Sequence, residues 1–222
     1  MTAGFDLALH LVTDEELPFP RLLEITAQAL DGGVTVVQLR AKRTPARRLV
    51  AQACALSEVT RGRAALIVND RTDVALAAID AGARVDGVHL GQDDIAPATA
   101  RRLLGPQALI GWTADTPSHL AEAIAMPPGT LDYLGVGVIR ATGSKPDHPP
   151  VLGIDGFAAF AAASPLPCVA IGGIVAADVP ALRAAGAAGV AVVSAICRAP
   201  DPQQAARDLS GTLATATGAQ PR

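Results

Sequence analysis

Eight short apolar runs recur along the chain, and alanine-rich stretches separate them. The runs cover residues 7–12, 34–39, 64–68, 86–90, 108–112, 133–138, 167–171 and 189–193. Those at 34–39 and 189–193 are β-branched and lack strict polar alternation, the pattern of strands buried on both faces. The intervening stretches read as helices. Residues 18–30 place Leu22, Leu23, Ile25, Ala29 and Leu30 on one broad apolar face. Thr44-Pro45 predicts an N-cap followed by proline at the first helical position, opening a helix that runs to about Arg61 and is closed by Gly62. Thr116-Pro117 repeats that signal before residues 118–126, and the last two helices are expected over 176–185, closed by Gly186, and from Pro202 to about Thr215.

Strand then helix, repeated about every 20–35 residues, is the size of a unit in a parallel sheet. Eight such units in 222 residues predict a single-domain (βα)8 TIM barrel spanning 1–222 rather than an open doubly wound sheet. A dinucleotide fold would carry Gly-x-Gly-x-x-Gly after its first strand, whereas Thr13-Asp14-Glu15-Glu16 stands there. The proline-containing stretch 143–153 follows the sixth strand and is expected to be an active-site loop that covers the barrel mouth; 211–222 reads as a frayed tail.

Composition narrows the partners. A net charge of −3 offers no general attraction to nucleic acid or anionic membrane, and 3 % aromatic residues make a poor stacking platform for bases. No secretory signal opens the sequence, and no uncharged apolar stretch reaches the roughly 18–20 residues that span a bilayer. The three cysteines, Cys54, Cys168 and Cys197, have no metal-ligand spacing and read as reduced thiols of a cytoplasmic protein. The sequence is compatible with a homo-oligomer and sets no copy number.

Nearly every polar residue that a plain core would not need lies just past a strand. Gln38, Arg40 and Lys42 alternate, so all three point to one side, where an anion at the barrel mouth would pair with them; otherwise they begin a solvated basic loop. Asn69 and Asp70 end the third run, and Asp70 either caps the next helix or faces the mouth; Asp73 reads as a first-turn acid. Gln92, Asp93 and Asp94 follow the fourth. Carboxylates from neighbouring strands, joined by phosphate oxygens, are the preferred setting of Mg²⁺. His89 reads as a strand residue held by packing and hydrogen bonds. Thr142, Ser144 and Lys145 suit a phosphate but form too short a signal to be specific. Gly172-Gly173 after the seventh strand and Val193-Ser194 after the eighth are sharper, because loops there form the recurrent phosphate site of such barrels. Two anionic places follow: a metal-assisted one from strands two to four, and a metal-free one from strands six to eight.

Taken together, Val37-Gln38-Leu39-Arg40, Val68-Asn69-Asp70-Arg71, the segment Gly87-Val88-His89-Leu90-Gly91-Gln92-Asp93-Asp94 and Ala170-Ile171-Gly172-Gly173-Ile174 resemble the thiamin-phosphate synthase family, over most of the chain. The resemblance implies a (βα)8 barrel and a transferase. It would join 4-amino-2-methyl-5-hydroxymethylpyrimidine diphosphate to a thiazole phosphate with release of diphosphate, by a dissociative, Mg²⁺-assisted route. It implies that Gln38, Arg40, Lys42, Asn69 and Lys145 hold the pyrimidine diphosphate, that Asp70 and Asp94 bind Mg²⁺, and that Thr113 lies against the pyrimidine. Thr142, Ser144, Gly173, Val193 and Ser194 would line the thiazole-phosphate site. Within that set Arg40, Lys42, Lys145 and Thr113 carry the catalytic role. The sequence departs from the family at Val138, usually proline, and at Arg140-Ala141, commonly an aromatic-proline pair; Thr113 and Ser144 stand where Ser and Thr are usual. Arg140 is expected to add a cation near the phosphates.

Two rivals remain. A thiazole tautomerase-like homologue uses a histidine shortly after strand five, where Asp115 stands in this chain. A non-catalytic phosphate-ligand sensor on the same barrel has no need of the two carboxylates and the cation set.

Overall fold

Each apolar run becomes a strand of four or five residues. They are β1 (Leu9–Val12), β2 (Val36–Leu39), β3 (Ala65–Asn69), β4 (Gly87–Leu90), β5 (Leu109–Thr113), β6 (Tyr133–Gly137), β7 (Cys168–Ile171) and β8 (Gly189–Val192). The computed structural model describes residues 4–142 and 150–214. Neighbouring strands are parallel and in sequence order, and β8 returns to β1 with Val190 opposite Leu9, closing the barrel. The helices on its outside are α1 (Phe19–Asp31), α2 (Ala46–Thr60), α3 (Thr72–Asp80), α4 (Pro97–Leu104), α5 (Pro117–Ala125), α6 (Gly153–Ala163), α7 (Val179–Ala184), α8 (Ser194–Cys197) and α9 (Pro202–Ala214). No helix of the described residues is long and apolar enough to cross a membrane.

Strand alternation divides the core into two shells. On β3, Leu66 and Val68 pack outward under the helices while Ile67 points inward. The inner shell gathers Val12, Val36, Ile67, Leu109, Tyr133, Val169 and Ala191, so the barrel is filled rather than hollow. Cys168 and Cys197 belong to the outer shell, and burial pushes the Cys197 thiol up to about 12, which makes it an inert packing residue.

Three boundaries differ from expectation. Helix α2 starts at Ala46, with Pro45 in the cap position at ψ 145° and no side-chain cap; proline fixes φ but not ψ, and here it stays extended, so Thr44 falls outside the cap. Thr116, in contrast, does cap α5, accepting from the His119 N–H at 3.2 Å. The helix expected over 176–185 divides into a 3-10 turn, Ala176–Asp178, and α7. Pro180 lacks the N–H that would complete an α-turn onto Ala176, and its ring opposes that carbonyl. Helix α9 continues through Gly211 to Ala214; the rest of the expected tail lies outside the described residues.

A polar side chain of β1, His10, stands edge-on to Tyr133 of the inner shell. His10 is fully buried, neither ring nitrogen has a hydrogen-bond partner of normal geometry among the described residues, and burial, followed by the charge of His89 and opposed by the Leu7 backbone, lowers its pKa to about 3. Above the unfolded-state value near 6.5 both states hold the ring neutral; below it only the unfolded chain takes up the proton. Stability is therefore expected to fall by up to about 1.4 kcal/mol per pH unit as pH drops from 6.5 towards 3. Urea unfolding of the wild type and His10→Leu at pH 7 and pH 4.5 checks this. The variant should lose distinctly less stability on acidification, and equal losses would rule His10 out as the cause.

Candidate active site

The carboxyl ends of the strands surround a cleft of about 410 Å³, within the range of small-molecule sites. Every described residue that the resemblance assigns to the site lines it: Gln38, Arg40 and Lys42 past β2, Asn69 and Asp70 at β3, Asp94 past β4, Thr113 on β5, Thr142 past β6, Gly173 past β7, Val193 and Ser194 past β8. Ser144 and Lys145 lie outside the described residues, as does most of the loop expected at 143–153. Of that loop's end, Leu152 donates its N–H to the Val138 carbonyl at 2.8 Å, and α6 begins at Gly153.

The β2 and β3 ends supply a cationic and an acidic group side by side. Gln38 is only 3 % exposed, yet its amide, like the side chains of Arg40 and Asn69, finds no hydrogen-bond partner among the described residues. Donors in that state at the lining of a cleft are open to a ligand or to water. Lys42 Nζ lies 3.4 Å from Asp70 Oδ2. Asp70 has a φ of 63°, the left-handed region that disfavours side chains other than glycine, at a cost of about 1–2 kcal/mol. Its N–H donates to the His89 carbonyl at 2.8 Å, which ties the turn to β4. Asp70 does not cap the next helix: Arg71 holds that position without a side-chain cap, and Asp73 fills the first turn.

Asp94 reaches the same place from β4. Its Oδ2 accepts from the Gly91 N–H at 2.6 Å. Burial holds its carboxyl above the usual carboxylate range, the Gly91 bond opposes that rise, and the neighbouring Asp70 adds to it. Two carboxyl groups that repel each other are a fit for a hard cation. Among the described residues no third His, Cys, Asp or Glu joins them, so such a cation would draw its other ligands from phosphate oxygens and water, the habit of Mg²⁺. The adjacent Asp93 also lines the cleft but is exposed.

The opposite wall is made of backbone. Gly172 and Gly173 have φ of 97° and 66°; a Cβ on Gly172 would stand 2.9 Å from the Val138 Cα, and one on Gly173 2.8 Å from the Arg140 carbonyl oxygen. Only glycine fits this turn, and it leaves backbone N–H groups open to a close anion. Ser194 and Ala195 start α8, so no earlier helical carbonyl can reach their amides.

Arg140 does not add the expected cation. Its Nε and Nη2 donate to both oxygens of Asp178, at 2.9 and 2.5 Å, and Asp178 also accepts from the Val175 N–H at 3.1 Å. Arg140 is absent from the cleft lining, because the bidentate pair turns the guanidinium towards the loop after β7. The pair holds the Asp178 carboxyl below the usual range.

From the sequence, His89 is expected as a strand residue held by packing and hydrogen bonds. It does make the expected hydrogen bonds, but it also lines the cleft, with Nε2 3.0 Å from Thr113 Oγ1 and Nδ1 2.9 Å from the Tyr133 hydroxyl. Gln92 fixes the Thr113 backbone, donating from Nε2 to its carbonyl at 2.5 Å. Asp115 lines the cleft as well and pairs with His119 Nδ1 at 2.8 Å. Strand parity alone would have turned His89 inward; its partners depend on register, which a single sequence does not display.

Comparison with known proteins places the chain in a family. A family model described as thiamine monophosphate synthase covers residues 9–196. The thiamine-phosphate synthase of Azorhizobium caulinodans is 48% identical over 217 residues, 97% of this chain and 99% of that protein. That of Xanthobacter autotrophicus is 49% identical over 218 residues, 97% of this chain and 100% of that protein. The solved structure of thiamine phosphate pyrophosphorylase from Pyrococcus furiosus superposes with a TM-score of 0.82 at 31% identity, covering 96% of this chain and 98% of that one. A 3-hexulose-6-phosphate synthase, at 17% identity and a TM-score of 0.67 over 93% of this chain and 99% of that one, shares the fold alone.

Proposed function

Because the chain belongs to the thiamine monophosphate synthase family, we propose that the described cleft is where it makes thiamin phosphate. It is a transferase that joins 4-amino-2-methyl-5-hydroxymethylpyrimidine diphosphate to 4-methyl-5-(2-phosphoethyl)thiazole and releases diphosphate. The observation that carries the reading is the convergence of Asp70, Asp94, Arg40 and Lys42 on one side of a cleft whose other side is the Gly172-Gly173 and Ser194 backbone. One end takes a diphosphate, the other a monophosphate.

A Mg²⁺ ion held by Asp70 and Asp94 would supply positive charge to the diphosphate oxygens. Arg40 and Lys42 add their own, so the bond between the pyrimidine methylene carbon and the departing oxygen breaks with its electron pair going to diphosphate. Lys145 joins them, and Ser144 the thiazole side, by resemblance alone. The aminopyrimidine spreads the positive charge left on its methylene carbon, and Gln38, Asn69 and Thr113 hold the ring in place. The thiazole, fixed through its phosphate at Gly173 and Ser194, then offers its ring nitrogen lone pair to that carbon. No protein nucleophile takes part. Apolar residues Val12, Ile171 and Ala191 line the cleft and limit water near the cation, and we assign the segment 143–153 the role of cover. Reduced cysteines and phosphorylated substrates support a cytoplasmic setting.

Diphosphate release, measured with both substrates and Mg²⁺, tests the reading. Release that requires both substrates and stops with a chelator is the expected result. Binding of both without turnover would favour a sensor, and conversion of a thiazole isomer without diphosphate release would favour a tautomerase.

A further inference from the structure

Three strands carry a row of residues whose spacing only the barrel register reveals. His89 on β4 and Tyr133 on β6 are both register partners of Gly111 on β5. A Cβ on Gly111 would stand 2.2 Å from the Tyr133 ring, and one on Gly135 2.8 Å from His89 Cε1. Two side chains are thus given up so that the two rings can stack over the gap, with centroids 5.5 Å apart. The Tyr133 hydroxyl lies 2.9 Å from His89 Nδ1, and His89 Nε2 lies 3.0 Å from Thr113 Oγ1.

Hydrogen-bond bookkeeping gives this row a direction. Tyr133 is 1 % exposed, and burial keeps its phenol protonated by raising its pKa. A buried hydroxyl hydrogen needs an acceptor, and among the described residues the only one in reach is His89 Nδ1. His10 stands edge-on to the same ring, but among the described residues neither of its nitrogens is hydrogen-bonded to the Tyr133 hydroxyl, so it does not compete. A neutral imidazole that accepts at Nδ1 carries its hydrogen on Nε2. That hydrogen is donated to Thr113 Oγ1, whose own hydrogen has no acceptor among the described residues and opens into the cleft.

We propose that Tyr133 is a positioning residue which, through the tautomer it imposes on His89, makes Thr113 a hydrogen-bond donor to an acceptor atom of the pyrimidine diphosphate. The assignment rests on the function proposed above for which ligand is bound, but the tautomer does not. Each donor in the row Tyr133, His89, Thr113 points the same way, which strengthens the last bond. Removing the tyrosine hydroxyl lets Nδ1 hold the hydrogen, and Thr113 then turns its own hydrogen back to Nε2.

Two measurements test this. Long-range proton–nitrogen NMR of protein labelled with ¹⁵N-histidine reads the tautomer directly, His89 being identified among the 4 histidines by its loss in His89→Gln. The hydrogen is expected on Nε2 in the wild type and to shift at least partly to Nδ1 in Tyr133→Phe. Second, Tyr133→Phe is expected to lower kcat by about tenfold in the wild-type background and by less than about twofold when Thr113 is already valine. A wild-type His89 protonated on Nδ1 would overturn the proposal even if Tyr133→Phe fails to fold, and so would equal kcat losses in both backgrounds. Absence of turnover in the wild type would instead defeat the functional reading and leave the tautomer result standing.

Discussion

Replacing Asp70 by alanine is expected to lower kcat by about 10²–10³-fold while leaving the Kd for the thiazole phosphate within about twofold. The asymmetry follows from where Asp70 stands. It shares a wall of the cleft with Asp94 and lies 3.4 Å from Lys42, whereas the monophosphate is assigned to the glycine turn after β7 and the start of α8. Losing one of the two carboxylates that would hold a Mg²⁺ ion among the described residues leaves more of the charge building on the departing diphosphate uncompensated. The loss corresponds to about 2.7–4 kcal/mol of transition-state stabilisation. Asp70→Asn is the companion variant. Asparagine tolerates the left-handed backbone that Asp70 adopts at φ 63°, so it keeps the turn and removes the charge alone. Both variants should show the kcat loss and a raised Mg²⁺ requirement in the diphosphate-release assay, with calorimetric titration reporting the thiazole-phosphate Kd. A kcat within about twofold of the wild type, or a thiazole-phosphate Kd that rises as steeply as kcat falls, would falsify the assignment of Asp70.

The repeat of buried strands was readable because parallel strands covered on both faces need unbroken apolar runs, and the polar ends stand out against them. That contrast located Gln38, Arg40, Lys42, Asn69, Asp70, Asp94 and Ser194 without coordinates, and all seven line one cleft. Helix starts were less legible. Thr44-Pro45 and Thr116-Pro117 look alike, yet only the second threonine caps its helix, since the ψ that decides the matter is left open by the proline ring. Least legible were contacts between distant segments. Arg140 looked like a phosphate ligand because nothing in the sequence joins it to Asp178, 38 residues on. The purpose of Gly111 and Gly135 appears only when β4, β5 and β6 are set in register.

A second large effect is expected at the far end of the barrel. Arg101, in the last turn of α4, reaches under the entrances of β5 and β6, where Nη1 donates to the Ala108 carbonyl at 2.5 Å and Nη2 to Asp132 Oδ2 at 2.6 Å. The same carboxylate oxygen accepts from the Ile110 N–H at 2.7 Å. Their side chains are 15% and 10% exposed, unlike the exposed pair Arg21–Glu24, at 43% and 61%. Exposed pairs of that kind contribute about 0–1 kcal/mol. Removing one partner of a buried pair strands the other charge, so Arg101→Leu is expected to cost about 3–5 kcal/mol in urea unfolding, with the m value unchanged. The double variant Arg101→Leu/Asp132→Leu should cost less than the sum of the two single changes, because no orphaned charge remains. A loss below about 1 kcal/mol for Arg101→Leu would mean that water already screens the pair. Because this network closes the amino ends of the strands and the cleft opens at their carboxyl ends, the folded fraction of Arg101→Leu should keep its kcat. Stability and catalysis then respond to different ends of the same eight strands, which is why Asp70 can take a strained backbone without threatening the fold.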